Sequence, residues 1–450
     1  MVQLNRKTLS YENCSTRFLI SREDFDENCF KRQYFHFYRT RVNLFRQRII
    51  DNAKKLLGEA VNTCHITEAK QNSPVLIMGT IIKRVALRPS ILRSLADEEM
   101  VLPQPIPAAK LITDDDYIEI EDENQIVRLT GAVDFDDVST GIVVGLYGKR
   151  FGNDAFHVQQ FIWPLPAVQP VAPTLDHDKF VMIISGLSFT SENDNCAEEM
   201  LALDLLQKWL GGYLPISEKE RFVVENLSRL IVAGESIAVT DQGKEFSMAA
   251  RYLIRNEEAP NVECVAHMDH FLSKISNLIE IDVMPGLGDP ATHLQPQQPI
   301  HRAVFPHASQ HGKMLNLVTN PYHFCLEGTH IIGTSGDNIS DLKRFSVNGN
   351  SIELLNKLLL WQHLAPTVPD TIDGFPFANR DPFIIEVFPH ILFSGNQENV
   401  EHSVKQYENG KRTLLVSVPN FAKTNSAVII NLRTLEVTEQ NFSYNDFFIS

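Results

Sequence analysis

The feature that most constrains this chain is a succession of short apolar runs that nearly all end in a small-residue turn. VMIISGL, RLIVAGE, IEIDVMPG, LNLVTNP, THIIGTSG, HILFSGN, TLLVSVP and AVIINL read as β-strands, because runs this short and this rich in β-branched residues suit strands better than helices. Between them the spacing turns helical. Val265, Met268, Leu272, Ile275 and Ile279 recur at steps of three and four, and a second such stretch spans Ile352 to Leu364. Strands alternating with helices build an α/β layout in which the loops at strand ends gather into one site, the usual place for chemistry in such folds.

The region before this has a different rhythm. From Ser73 to Pro164 the runs VLIMGTII, YIEIED, IVRLTGAV, GIVVGLYG and FHVQQFIW alternate with period two and are broken by glycine, which indicates a small all-β unit. Five strands with a long insertion after the first, Arg88 to Thr113 with Pro89, Pro103, Pro105 and Pro107, suit an OB-type barrel. PLPAVQPVAP, residues 164–173, reads as a stiff linker. Upstream, Tyr34, Phe37, Tyr38, Val42, Phe45, Ile49, Ala53 and Leu56 mark an amphipathic helix between Lys31 and Leu57. Arg32, Arg39 and Arg46, and likewise Arg41 and Arg48, lie seven apart on its other faces, and the simplest expectation is a docking helix with solvated arginines.

Charge and cysteine usage narrow the function classes. The net charge of −15 is uneven, since residues 1–58 hold twelve Lys/Arg against six Asp/Glu and the remainder carries −21. An acidic body lacks the counterion release that drives tight independent binding to nucleic acid. No run of about eighteen apolar residues occurs, and MVQLNRKTLSYENC lacks the apolar stretch of a secretory signal, so an intracellular protein with no membrane partner is expected. Cys14, Cys29, Cys64, Cys196, Cys264 and Cys325 are scattered with no CxxC pair, as expected of reduced structural thiols.

The strand-end loops are ISGLSF, VAGES, MPGLGDP, TSGDN and FSGNQ. Their order resembles that of the calcineurin-like metallophosphoesterases, whose loops carry Asp-x-His, Gly-Asp, Gly-Asn-His-Asp/Glu, an isolated His and Gly-His-x-His. Those residues hold two cations, which repel each other unless carboxylates bridge them and imidazoles complete each shell. Here Gly186 or Leu187 falls where the first Asp and His belong, and Glu235 stands where the bridging Asp belongs. Pro285, Gly286 and Leu287 replace the Asn-His portion and leave Asp289 as that loop's acid. Gly336 and Asp337 occupy the fourth loop, and Gly395 is followed by Asn396 and Gln397 in place of two histidines. With two carboxylates and no placed imidazole, no catalytic residue, metal or cofactor is expected. His293, His301, His307 and His311 in one long loop, with His267 and His270 a helical turn apart, are read as surface histidines with backbone partners. Cys264 reads as a small buried residue.

VMPGLGDP followed by LQPQQPIH, then LVTNPYHF, GTHIIGTSGDNISDL and HILFSGN, resemble the signature blocks of the B-subunits of replicative DNA polymerases. KRQYFHFYRTR, LRPSILRSL with LPQP, and IEIEDENQIVRLTG point to the delta-type branch. Asp337 departs from the pattern, which has a small polar amide there. The resemblance covers about Phe30 to Phe442 and implies an α+β multidomain protein: an OB-type barrel, an inactive calcineurin-like two-sheet sandwich and an N-terminal amphipathic helix. The expected boundaries are a tail over 1–30, a helical segment over 31–72, the OB domain over 73–164, a linker over 165–177 and the phosphoesterase-like domain over 178–450. It further implies a nuclear scaffold for replication and repair synthesis, gripping the cysteine-rich C-terminal domain of a catalytic polymerase subunit and a third subunit that reaches the sliding clamp, with DNA met through the complex. SGLSFTSENDN is a candidate contact loop.

Two other classes compete. A residual one-metal phosphoesterase or nuclease is disfavoured by the missing histidines. A barrel that binds single-stranded DNA would use Tyr117, Tyr147, Phe151, Phe156, Phe161 and Trp163, but Asp114 to Asp116, Glu119, Glu121 to Glu123 and Asp134 to Asp137 crowd the same region.

Overall fold

The computed structural model describes residues 6, 8–25, 28–71, 73–88, 110–152, 154–190, 197–214, 217–238, 262–347, 349–407 and 410–444. The proline-rich part of the barrel insertion, Cys196 and most of the polar end of SGLSFTSENDN lie outside them. The contacts divide the chain into two units. One comprises Met1–Ile20, Gln169–Asp337 and Pro389–Ser450, and the other Ser21–Val168 and Asn338–Phe388.

In chain order the elements begin with β1 (Tyr11–Asn13), α1 (Phe35–Leu57), β2 (Val75–Arg84), β3 (Tyr117–Glu121), β4 (Ile126–Gly131), β5 (Val143–Phe151) and β6 (Ala155–Ile162). There follow β7 (Phe180–Ile184), α2 (Ala197–Leu210), α3 (Glu218–Asn226), β8 (Leu227–Ala233), α4 (Val262–Ile275), β9 (Glu280–Met284), β10 (Leu315–Leu317), β11 (Tyr322–Leu326) and β12 (Thr329–Thr334). Then come α5 (Asp337–Arg344), α6 (Ser351–Trp361), β13 (Ile391–Gln397), β14 (Glu401–Gln406), β15 (Arg412–Pro419), α7 (Phe421–Thr424), β16 (Ser426–Asn431) and β17 (Val437–Asn441). Each of the eight apolar runs singled out above forms one of these strands.

The first unit contains two six-stranded sheets, ordered β1-β11-β12-β13-β15-β14 and β10-β9-β8-β7-β16-β17. Parallel pairing runs through β10, β9, β8 and β7 in one, and through β12, β13 and β15 in the other. Strand residues alternate between faces. Val181, Ile183, Ile231 and Ala233 therefore meet Phe324, Ile331, Phe393 and Val416 in one buried cluster, while Met182, Ile184, Leu230 and Val232 turn the other way to Leu206, Trp209, Met268 and Leu272 of α2 and α4. The result is a sheet, a second sheet and a helical layer, a mixed α/β architecture. β1 pairs with β11 from a stretch whose sequence carries no strand pattern.

In the second unit, β2, β3, β4, β6 and β5 close into a barrel in that order. α1 lays Phe45, Ile49 and Ala53 on Leu76, Val143 and Ile162 of the barrel, so the apolar seam docks as expected. The arginines do not all face water. Arg41 is fully buried; it donates to Asp381 Oδ2 at 2.7 Å and to the carbonyls of Gly141, Pro366 and Val368. Arg48 donates to the Leu165 carbonyl at 2.8 Å. Asn338–Phe388, which the sequence pattern places within 178–450, packs in this unit. Lys83 Nζ donates to the Phe345 carbonyl, Lys357 Nζ to that of Asp136 and Trp361 Nε1 to that of Asp137.

Removing one member of a buried ion pair strands the other charge in a low-dielectric interior. Arg41→Ala is expected to lower unfolding stability by about 3–5 kcal/mol, read by denaturant titration. A cost below about 1 kcal/mol, the value of an ordinary exposed pair, would refute the anchoring role of Arg41.

Candidate functional site

The C-terminal ends of β7, β8, β9, β12 and β13 bring their loops together, because parallel neighbours end on the same edge. Gly186 N donates to the Gly234 carbonyl at 2.9 Å, and Ser188 N to that of Glu235 at 3.2 Å. The turns need glycine: Gly186 has φ 65° and a Cβ there would stand 2.1 Å from Asn420 Nδ2, while Gly336 has φ 109° and a Cβ would stand 2.0 Å from the Gly395 carbonyl oxygen. Leu187 is buried in the apolar cluster beneath the loops, not turned to a site.

Asp289 is buried and faces backbone amides. Oδ1 accepts from Ser236 N and Ile237 N, both at 2.9 Å, and Oδ2 from Gly286 N at 2.7 Å. An ionised carboxylate offers about four lone-pair directions, so three are taken by the chain itself. Asn396 inserts its amide between strand ends: Nδ2 donates to the Ser335 and Ala233 carbonyls at 2.8 and 3.3 Å, and Oδ1 accepts from Asn420 Nδ2 at 3.3 Å. Ser185 Oγ accepts from Asn396 N at 2.8 Å and donates to the Pro419 carbonyl at 2.9 Å. Asp337 Oδ2 accepts from Ser335 Oγ, whose oxygen in turn accepts from Asn320 Nδ2 at 2.7 Å. Gln297 completes the chain, accepting from Asn320 Nδ2 and donating to the Gly286 carbonyl.

Electrostatically this is a crowded acidic pocket. Burial, then the carboxylates of Asp337 and Asp289, push Glu235 up to about 7. Burial also pushes Asp289 up to about 6, against the pull of its three amides and with a further push from Asp337. Glu235 and Asp289 are thus both pushed toward protonation beside Asp337, with Lys423 as the counter-charge felt by Glu235.

The structure brings Gly186, Glu235, Gly286, Asp289, Gly336, Asp337, Gly395 and Asn396 together at the strand ends. The histidines singled out above go elsewhere. His307 Nδ1 lies 2.7 Å from Asp269 Oδ2 and its ring lies 4.8 Å from that of His270 at a tilt of 37°, His301 accepts from Ala303 N, and His311 Nε2 lies 3.3 Å from Ser273 Oγ. His267 Nδ1 approaches the Thr190 carbonyl at 3.4 Å, and His293 is exposed. Cys264 is buried in the core. The sequence pattern does not single out Ser185, Gln297, Asn320, Ser335 or Asn420, although LQPQQPIH and LVTNPYHF carry two of them. Among the described residues, the donor atoms that lie mutually within 4.8 Å in a metal-like group belong to Cys14, His323 and His330, away from these acids.

Comparison with known proteins adds a family. Residues 181–403 match the family model for the DNA polymerase alpha/epsilon B-subunit, and residues 33–161 match that for the OB-fold domain of the DNA polymerase delta subunit. The DNA polymerase delta subunit 2 of Drosophila melanogaster is 33% identical over 442 residues, covering 98% of this chain and 99% of its own. The DNA polymerase delta small subunits of Oryza sativa and Arabidopsis thaliana are 31% and 30% identical, covering 98% and 97% of this chain and 99% and 96% of theirs.

The acid pocket carries a pH signature. An acid whose folded pKa is raised destabilises the fold as pH climbs from the unfolded value, near 4.5 for Glu, to the folded one near 7. Glu235→Gln is therefore expected to raise the unfolding temperature at pH 8 and leave it unchanged at pH 4.5. An equal gain at both pH values would show that the carboxylate charge is not the cause.

Proposed function

The chain belongs to the family of DNA polymerase delta small subunits, and from that membership we propose that it is a non-catalytic accessory subunit of the polymerase delta complex, acting in DNA replication. The observation that carries the non-catalytic part is the self-saturation of the strand-end loops. Asp289 gives three lone-pair directions to backbone amides, and Asn396 fills with an amide the place where a phosphoesterase has an imidazole. A dinuclear centre needs bridging carboxylates and imidazole ligands in open positions, and here the most buried acid is taken up by amides while the metal-like group with imidazoles among the described residues lies elsewhere. On this reading the first unit is a calcineurin-like sandwich that has exchanged metals for amides, and the barrel with its helix is the OB domain. The proposed domain limits remain 73–164 for the OB domain and 178–450 for the phosphoesterase-like domain, with Asn338–Phe388 an insertion that packs in the barrel's unit.

Other polymerase subunits are the partners. More finely, we place the cysteine-rich C-terminal domain of the catalytic chain and a third subunit against this one. Residues 59–450 carry a net −21, which suits basic partner segments and repels phosphate backbones. The barrel's aromatics also favour a protein role. Phe156 is buried, Phe161 stacks on Trp163, Arg128 lies over Tyr117 and Tyr147 packs on the helix–barrel cluster, which leaves Phe151, 74% exposed, as the open ring among these six and not a row of platforms for successive bases. The nucleus follows as the place of work, with import alongside partners.

Two assays test the proposal together. The full chain with Mn²⁺ and a phosphodiester substrate is expected to show no turnover above the metal blank, and co-expressed catalytic chain is expected to co-purify with it in one-to-one ratio. Turnover abolished by Asp289→Ala, or loss of co-purification at physiological salt, would overturn it.

A further inference from the structure

In the first unit, β11 sends Tyr322, Phe324 and Leu326 into the buried cluster between the sheets, and β12 sends Ile331 the same way. Alternation then turns His323, Cys325 and His330 to the opposite face. β1 extends this face by pairing Glu12 with Cys325, and the residue after the strand, Cys14, donates its amide to the His323 carbonyl at 2.9 Å. One sheet face thus gathers a thiol and two imidazoles whose donor atoms lie within 4.8 Å of one another.

The two imidazole nitrogens have the spacing of neighbouring ligands, and the sulfur lies within 4.8 Å of both. His323 Nε2 and His330 Nδ1 stand 3.3 Å apart, and two nitrogens each ~2.0–2.1 Å from a tetrahedral zinc ion are separated by ~3.3 Å. A thiolate at ~2.3 Å from the same ion would lie ~3.6 Å from each nitrogen, within the compass of the group. His330 is held from behind: its amide donates to His390 Nδ1 at 2.9 Å, and His390 Nε2 donates to the Pro170 carbonyl at 3.1 Å.

We propose that Cys14, His323 and His330 bind one divalent transition-metal ion of the zinc class, leaving the fourth position to water. Mixed sulfur and imidazole donors select such ions over magnesium or calcium. Binding forms the metal–sulfur bond and releases the thiol proton to solvent. The ion would pin the N-terminal strand β1 to β11 and β12, a structural role.

Cobalt(II) reports the site directly, since a thiolate ligand gives a charge-transfer band in the near ultraviolet. The full chain, stripped with chelator and titrated with Co²⁺, is expected to bind one equivalent with that band and to lose it on adding Zn²⁺. Cys14→Ser should abolish the band, and His330→Gln, at a partly exposed position, should weaken binding at least about tenfold while leaving the unfolding temperature of the metal-free chain unchanged. Glu235→Gln should keep the band. Absence of the band at millimolar Co²⁺, its survival in Cys14→Ser, or its loss in Glu235→Gln would overturn the assignment.

Discussion

A pocket at the edge of a parallel sheet must satisfy the backbone groups its loops bring in, and here one buried carboxylate does so from inside. Asp289 collects amides from two loops, Gly286 of its own and Ser236 with Ile237 of the neighbour, and fixes their approach. Buried polar groups without partners cost free energy, so in a metal enzyme these donors and carbonyls are arranged around cations. In this chain side-chain amides take up several of these groups: Asn396 bridges Ala233 and Ser335, and Asn320 bridges Gln297 and Ser335. The pocket is thereby a junction of the two sheets' edges.

The second unit is organised by the same logic around a cation. Arg41 reaches one acid and three carbonyls, and His363 Nε2 lies 2.9 Å from the same Asp381 oxygen. Arg41 first and then His363 hold the Asp381 carboxyl well below the usual range, against its burial. Burial and the Arg41 charge together keep His363 down at about 4. A helix, a barrel loop and the late segment Asn338–Phe388 are thus tied at one point.

Much of this was legible in the sequence. Period-two alternation gave the barrel strands their places, and apolar runs ending in Gly gave β7, β8, β9, β12 and β13 together with the loops they carry. Other features left no local pattern. β1 is a short strand whose identity comes only from pairing with β11. Arg41 has the same periodic setting as solvated arginines, and only the distant Asp381 decides its burial. Asn338–Phe388 packs away from its sequence neighbours through Lys83, Lys357 and Trp361, contacts separated by more than two hundred residues. Cys14, His323 and His330 are likewise adjacent only in the sheet, so no spacing rule could reveal them.

The central claim is that the strand-end loops hold themselves together through their own hydrogen bonds and take up no metal pair. Electron paramagnetic resonance of the full chain titrated with Mn²⁺ measures this most directly, because two manganese ions a few ångströms apart couple magnetically. The expected result is the spectrum of isolated ions alone, unaltered by Asp289→Asn. A spin-coupled pair signal that Asp289→Asn or Glu235→Gln abolishes would contradict the account.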